Sequence, residues 1–198
     1  MLFWIPYNHG APSWCSSLTI LYSIGHGNRP VEEFAALLKS ARIECLVDVR
    51  AYPRSRRNPQ FARMALDPVL KAAAVHYLWE GGPLGGMRRP HGDSPHHALD
   101  DAANRGYADH MATPEFQRAL ERLIVTGASR VTAFMCAETN PGHCHRSFIA
   151  DALLARGIDV LHLMGPQDVR HHTLHEGARM ESGGRVVYDA CVQLGLAL

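Results

Sequence analysis

Short apolar runs alternate with amphipathic segments along most of the chain. Residues 18–24 are apolar and β-branched and are followed by a glycine, which predicts a buried strand. Pro30 opens the next segment, where acidic residues in the first turn and apolar residues three and four positions apart predict a helix with one buried face. A second apolar strand is predicted over 44–49. This order indicates a parallel strand pair joined by a right-handed crossover.

The alternation continues through the rest of the chain. Further strands are predicted over 76–79, 131–135 and 160–164, and further helices over 67–74, from Pro114 onwards and over 147–156. Residues 178–188 place two glycines between two extended runs, which is typical of a hairpin at a sheet edge. Together these elements predict a three-layer α/β fold of Rossmann-like type, with a mainly parallel twisted sheet, helices on both faces and a C-terminal hairpin.

The length of 198 residues suits one domain. Residues 1–17 mix aromatic residues with Pro, Gly and Ser without any period, so we expect an irregular N-terminal arm there and a single α/β domain over 18–198. Residues 81–109 are rich in Gly, Pro, His and Asp and are too long for a simple connection. This segment is therefore predicted to be a long mobile or functional loop.

The composition restricts the class of protein. Hydrophobic residues make up 46% of the chain and charged residues 20%, which is enough apolar material for a packed core. The formal net charge is +1, so any contact with a polyanion has to be local. Five scattered cysteines do not suggest a secreted disulfide framework, and no stretch has the length of a membrane span. We therefore expect a cytoplasmic protein without membrane contact.

Polar clusters follow the predicted strands at residues 25–29, 48–57, 81–86 and 136–146. In an open parallel sheet, ligands bind in the crevice outside the carboxyl ends of the strands. We therefore expect these clusters to converge on one pocket.

The first cluster, GHGNRP, is a partial dinucleotide-binding fingerprint. It follows a strand and opens a helix, and Asp48 lies downstream where a ribose-binding acid is expected. Pro30 replaces the third glycine, so an anion site at the helix start is favoured over a full pyrophosphate cradle. For His26 two interpretations stay open: packing in the turn, or a catalytic or ligand-binding role.

The second cluster begins with Asp48 and Arg50, which leave the strand end on the same face and can pair. A carboxylate held beside arginine stays ionised, so it can orient a water molecule or fix the arginine for an anion; an ordinary ion pair is the alternative. Five arginines precede Asp67 without an intervening acid, namely Arg50, Arg54, Arg56, Arg57 and Arg63. With Tyr52 and Phe61 they can grip phosphates and stack a base, or they form a solvated basic loop.

The fourth cluster, CAETNPGHCHRS, joins a strand to a helix start. Because helix starts attract anions and lower thiol pKa values, Arg146 is placed for a phosphate or carboxylate and Cys144 can be reactive. A zinc site through Cys136, His143, Cys144 and His145 lacks the paired short spacing that such sites usually show. The alternative is that Cys136 packs in the core and Cys144 caps a turn.

The chain contains, in this order, the segments SIGHGNRPVEEF, DVRAYPRSRRNPQF, GGPLGG, CAETNPGHCHRS and HTLHEGARM. Over residues 20–190 this pattern resembles the bacterial and archaeal family known as domain of unknown function 488. The resemblance implies a compact three-layer α/β domain and DNA glycosylase activity on oxidised or modified pyrimidines. It also implies a site lined by Gly25, His26, Asp48, Arg50, Arg57, Glu138, Cys144 and Arg146.

The resulting hypothesis is a nucleic-acid-directed hydrolase of the DNA glycosylase type that needs no metal or other cofactor. The expected catalytic residues are His26, Asp48, Arg50 and Glu138. The expected substrate-binding or anion-binding residues are Gly25, Gly27, Asn28, Tyr52, Arg54, Arg57, Cys144, His145 and Arg146. Two alternatives stay open: an enzyme or binding protein for a small molecule or nucleotide with an anion site, and a non-catalytic binding module.

Overall fold

The computed structural model describes residues 19–54 and 56–190, so the predicted N-terminal arm at 1–17 lies outside the described residues. Its centre is a six-stranded sheet in the order β3-β2-β4-β1-β5-β6. The strands are β1 (Ile20–Gly25), β2 (Cys45–Asp48), β3 (His76–Trp79), β4 (Thr132–Cys136), β5 (Asp159–Gly165) and β6 (Asp168–His171). The first five are parallel, and β6 runs antiparallel to β5.

Helices cover both faces of the sheet. They are α1 (Val31–Ser40), α2 (Arg63–Ala72), α3 (Gly81–Leu84), α4 (Ala102–Met111), α5 (Pro114–Ser129) and α6 (Arg146–Leu154). Side chains of α1 and α2 pack in one apolar cluster, and side chains of α4, α5 and α6 pack in the other. Strand β2 contributes to both, because Leu46 points to the first cluster while Cys45 and Val47 point to the second. The predicted three-layer α/β fold with a mainly parallel sheet is thereby confirmed.

The C-terminal hairpin also forms, but it is not an edge of the central sheet. Among the residues that the structure describes, β7 (Ala178–Glu181) and β8 (Arg185–Tyr188) pair only with each other. Gly183 and Gly184 adopt positive φ angles of 78° and 73° in the turn. Tyr188 and Val186 are buried in the cluster formed by α4, α5 and α6. The two edge strands of the central sheet are β3, which was predicted, and β6, which was not, because β6 is short and mostly exposed.

The segment at 81–109 is less irregular than its composition predicts. It contains α3 and most of α4, so the prediction of one long loop was wrong. The Asp101 side chain accepts a hydrogen bond from the Asn104 amide and starts α4, whose Tyr107 is buried. Polar residues and a glycine interrupt the apolar positions of α4, so it lacks the apolar periodicity on which sequence patterns depend, and only its packing against the core reveals it.

The strand register brings the carboxyl ends of four neighbouring strands together. Gly25 of β1 pairs with Cys136 of β4, and Asp48 of β2 lies between Met135 of β4 and Trp79 of β3. The segments that follow these strands therefore meet at one edge of the sheet. Within residues 19–54 and 56–190, none of the helices has the length and apolar character that a membrane crossing requires.

Candidate functional site

A pocket of about 430 Å³ opens at the carboxyl ends of β1, β2 and β4. Backbone hydrogen bonds connect the loop after β1 with the end of β4 and the loop that follows it. The His26 amide donates to the Cys136 carbonyl at 3.1 Å, and the Gly27 amide donates to the Ala137 carbonyl at 2.8 Å. The walls of the pocket bring together eight residues predicted from the sequence: His26, Gly27, Asn28, Arg50, Tyr52, Arg54, Arg57 and Glu138. Asn58, Ala137 and Thr139 complete them.

Beneath the pocket, Asp48 and Arg50 form a buried two-bond ion pair. Arg50 Nε donates to Asp48 Oδ1 at 2.9 Å, and Arg50 Nη2 donates to Asp48 Oδ2 at 2.6 Å. The Tyr77 hydroxyl donates to the same Oδ2 at 2.7 Å, and burial together with this carboxylate raises the pKa of Tyr77. Burial opposes the charge of Arg50, but Asp48 outweighs it and raises the pKa of the guanidinium. Asp48 is 0% exposed, so its carboxylate positions Arg50 and does not reach a ligand.

His26 is held between Arg50 and an aromatic ring. The His26 ring stacks on Phe61 with ring centres 4.2 Å apart, and its Nδ1 lies 2.7 Å from the Gly27 carbonyl oxygen. Because a carbonyl only accepts, Nδ1 carries the proton and Nε2 accepts from Arg50 Nη1 at 3.2 Å. Burial lowers the pKa of His26 to about 4, so the ring is neutral at physiological pH.

The outer wall of the pocket carries exposed groups of several kinds. Tyr52 is 73% exposed, and Arg54 and Arg57 are exposed beside it in the loop after β2. Glu138, in the loop after β4, is also exposed and lines the same pocket. The pocket therefore offers two accessible guanidinium groups, an aromatic ring and a carboxylate to one ligand.

A second recess of about 400 Å³ adjoins the first and shares Arg50, Tyr52, Ala137 and Glu138 with it. Its inner wall holds Cys136, Cys144 and His145, whose ligand atoms all lie within 4.8 Å of one another. A hydrogen bond from Cys136 lowers the pKa of the Cys144 thiol, and His145 and Arg146 act in the same direction. The pKa of Cys136 rises because of that hydrogen bond and its burial.

Arg146 lies behind the pocket wall and is only 1% exposed. Its Nη1 donates to Ser23 Oγ at 3.0 Å, and its Nη2 donates to the backbone carbonyls of Glu138 and Thr139. The guanidinium thus shapes the loop after β4, in place of the anion contact that the sequence predicts. Gly25 has a related role, because a Cβ there would lie 1.9 Å from the Glu138 carbonyl oxygen.

The sequence profile of one family matches residues 30–153, which is more than half of the chain. The chain belongs to the family described as domain of unknown function DUF488. The match runs from just before α1 into α6. It therefore includes every residue that lines the pocket except His26, Gly27 and Asn28. Neither a curated protein nor a solved structure matches the chain. The family description assigns no activity, so function has to be argued from the site.

Two residues of this DUF488 site were not predicted from the sequence. Tyr77 holds Asp48, and Tyr107 packs against His145 with ring centres 5.2 Å apart. Phe61, which the sequence suggests as a base-stacking residue, is fully buried; its ring stacks on His26 and its carbonyl accepts from Arg50 Nη2 at 2.9 Å. Tyr77 had a weak signal, since it lies in a segment that flanks a predicted polar cluster. Tyr107 had none, because α4 was not recognised as a helix.

Proposed function

We propose that this DUF488 protein is a nucleic-acid-directed hydrolase that removes a base from its sugar. One observation supports this proposal above the others: a single pocket joins the exposed guanidinium groups of Arg54 and Arg57, the exposed ring of Tyr52 and the exposed carboxylate of Glu138. These groups correspond to the phosphate, the base and the reacting sugar of a nucleotide.

Each part of a nucleotide has a matching group in the pocket. Guanidinium groups bind phosphate oxygens through two parallel hydrogen bonds. An accessible tyrosine ring can stack on any of the bases, whatever the nucleotide sequence. A volume of about 430 Å³ lies within the range of ordinary small-ligand pockets. An enzyme acting on a base in a duplex has to take that base out of the stack, which requires such a grip and such a recess.

The reacting carboxylate is Glu138 and not Asp48. Both oxygens of Asp48 accept hydrogen bonds from Arg50 and Tyr77, and the group is fully buried, so it cannot take a proton from water. Glu138 is exposed in the pocket wall and can act as the general base. It accepts a proton as the water oxygen bonds to C1′; the bond between C1′ and the base breaks, and the base leaves with the electron pair and receives that proton.

The test of activity uses duplex and single-stranded oligonucleotides that carry oxidised pyrimidines. The measured product is the abasic site, detected as strand cleavage after alkaline treatment. Glu138→Gln is expected to abolish the product, whereas Glu121→Gln, an exposed carboxyl group on α5 outside the pocket, is expected to leave it unchanged. Absence of product from every substrate, or equal activity of Glu138→Gln, overturns the proposal.

The test of binding measures the salt dependence of DNA affinity. Each phosphate contact contributes a slope of about 0.9 in log affinity against log salt concentration for duplex DNA. Arg54→Ala and Arg57→Ala are each expected to reduce that slope by about 0.9, the contribution of one phosphate contact. Arg118→Ala, on the exposed face of α5, serves as control. Tight binding of a free nucleotide without salt-dependent DNA affinity favours the small-molecule alternative instead. DNA binding without turnover favours the non-catalytic module.

A further inference from the structure

The inner wall of the second recess gathers two thiols and one imidazole from two elements. Cys136 ends β4, while Cys144 and His145 follow a short 3-10 turn at Pro141–His143 that returns the chain before α6. The distances from His145 Nδ1 are 3.8 Å to Cys136 Sγ and 3.9 Å to Cys144 Sγ. Both cysteines are buried and unpaired, and the proposed hydrolase reaction uses neither thiol.

The orientation of His145 is fixed by the groups around it. Its Nε2 lies 3.2 Å from the Val49 carbonyl oxygen, which can only accept, so Nε2 carries the proton. The lone pair of Nδ1 therefore points toward the two sulfur atoms. A carbonyl that fixes the tautomer in this way is the usual outer partner of a metal-binding histidine. On the other side, a Cβ at Gly86 would lie only 3.0 Å from Nδ1, so the glycine allows close approach of this chain segment.

We propose that Cys136, Cys144 and His145 bind a zinc ion whose fourth coordination position faces the second recess. Two thiolates and an imidazole form a donor set that favours zinc or another thiophilic ion, and three protein ligands with one open position are the pattern of a reactive zinc site. The sequence spacing conceals this site, because the two cysteines are eight positions apart and are brought together by the turn at Pro141–His143.

The distances agree with this assignment. A tetrahedral zinc ion bonded at about 2.3 Å to sulfur and about 2.0–2.1 Å to nitrogen holds the two ligand atoms about 3.5 Å apart. The two observed sulfur–nitrogen distances, 3.8 and 3.9 Å, need only a small contraction to reach that value. Two thiolates also neutralise the ion, so loading leaves no net charge in a buried location.

The open position faces groups that a ligand can use. His143, Glu138 and Arg50 line the same recess, and Glu138 and Arg50 also line the pocket described above. A water molecule or a ligand atom on the zinc ion would therefore lie in the second recess and close to the pocket. The zinc assignment stands apart from the proposed glycosylase activity, because its test measures metal and not turnover.

The test loads the reduced full-length protein with zinc, removes free metal by gel filtration and measures metal by mass spectrometry. One zinc ion per chain is expected, together with an increase in Tm on loading. Cys144→Ser and Cys136→Ser are each expected to lose the bound zinc. Cys45→Ser removes a buried thiol that lies outside this cluster, so it is the matched control and is expected to retain one ion.

A spectroscopic arm keeps the proposal testable if a serine variant fails to fold. Cobalt loaded into the wild-type protein is expected to give an intense thiolate-to-cobalt absorption band and the strong visible bands of tetrahedral coordination. Wild-type protein that retains no zinc, a cobalt spectrum without thiolate bands, or full retention in a folded Cys144→Ser variant overturns the site. Absence of metal from the reduced protein, together with a disulfide that peptide mapping assigns to Cys136 and Cys144 after mild oxidation, overturns the zinc site and identifies a disulfide-forming pair.

Discussion

Asp48→Asn keeps the size of a fully buried side chain, but it removes the negative charge and replaces one acceptor oxygen with an NH₂ group that donates. Asp48 Oδ1 accepts from Arg50 Nε at 2.9 Å and from the Arg50 amide at 3.0 Å, and Oδ2 accepts from Arg50 Nη2 at 2.6 Å and from Tyr77 at 2.7 Å. An amide has one acceptor oxygen and an NH₂ group that would face two of these donors. The substitution therefore breaks at least two hydrogen bonds and leaves the Arg50 charge buried without its partner.

The magnitude follows from the burial of the pair. Removing one partner of a buried ion pair costs about 3–5 kcal/mol, against a total free energy of unfolding of about 5–15 kcal/mol for a domain. For a chain of this size, each kcal/mol lowers Tm by about 2–4 °C, so a decrease of roughly 6–20 °C is expected. Replacing both residues, as in Asp48→Asn with Arg50→Gln, removes the uncompensated charge and is expected to cost less than the sum of the two single changes.

The assay is urea unfolding followed by tryptophan fluorescence and far-UV circular dichroism. The chain supplies a matched control in Asp168, which pairs with Arg170 at the same spacing and with the same two-bond geometry, at 2.8 and 2.7 Å. Those side chains are 46% and 65% exposed, so solvent screens the pair. Asp168→Asn is expected to leave the unfolding midpoint almost unchanged.

Two results would refute this reasoning. If Asp48→Asn unfolds within about 1 kcal/mol of the wild type, the buried pair does not carry the stability assigned to it. If the variant is as stable as the wild type and loses a measured hydrolase activity that Glu138→Gln retains, Asp48 and not Glu138 is the reacting carboxylate.

Three further changes probe the structure around the site. Gly25→Ala places a methyl group against a backbone carbonyl 1.9 Å away, so a loss of about 1–3 kcal/mol in unfolding free energy is expected; at Gly92, with nothing within 4 Å, alanine should have little effect. Tyr188→Phe removes a 2.8 Å hydrogen bond to the buried Asp151 carboxylate, which should lower the unfolding free energy by about 1.5–3 kcal/mol. Burial lowers the pKa of both His26 and His162 to about 4, so below pH 6.5 the unfolded chain binds these two protons more readily than the folded chain does. Each histidine should therefore lower the unfolding free energy by up to about 1.4 kcal/mol per pH unit as the pH falls from 6.5 to 4, and a flat pH profile in denaturant titrations would contradict this.

The fold was largely predictable because its signal is local. The runs of β1, β2 and β4 are short and mainly apolar. A parallel strand inside the sheet is covered by helices on both faces, so apolar residues occupy consecutive positions along it. The amphipathic pattern of α5 is equally plain in the sequence. What local pattern missed was α3, α4 and β6, which lack a regular apolar pattern and acquire their structure from neighbours far away in the chain.

The site was predictable in place but not in the role of each residue. Parallel strands carry their carboxyl ends to one edge, so the clusters after β1, β2 and β4 had to meet, and the pocket contains residues of all three. Whether the side chains of Asp48 and Arg146 face a ligand or the interior depends on how deeply they are buried. The position of a residue in the sequence does not show this. Both proved to be buried and bound by the protein itself.

The sequence by itself determined the order of the strands and helices other than α3, α4 and β6, the position of the polar clusters at strand ends and membership of the DUF488 family. Only the tertiary structure decided which charged groups stay accessible, because desolvation depends on every element packed around a side chain. It also decided the meeting of Cys136 with Cys144 and His145, since a strand end and a turn come together there through packing that no short motif encodes.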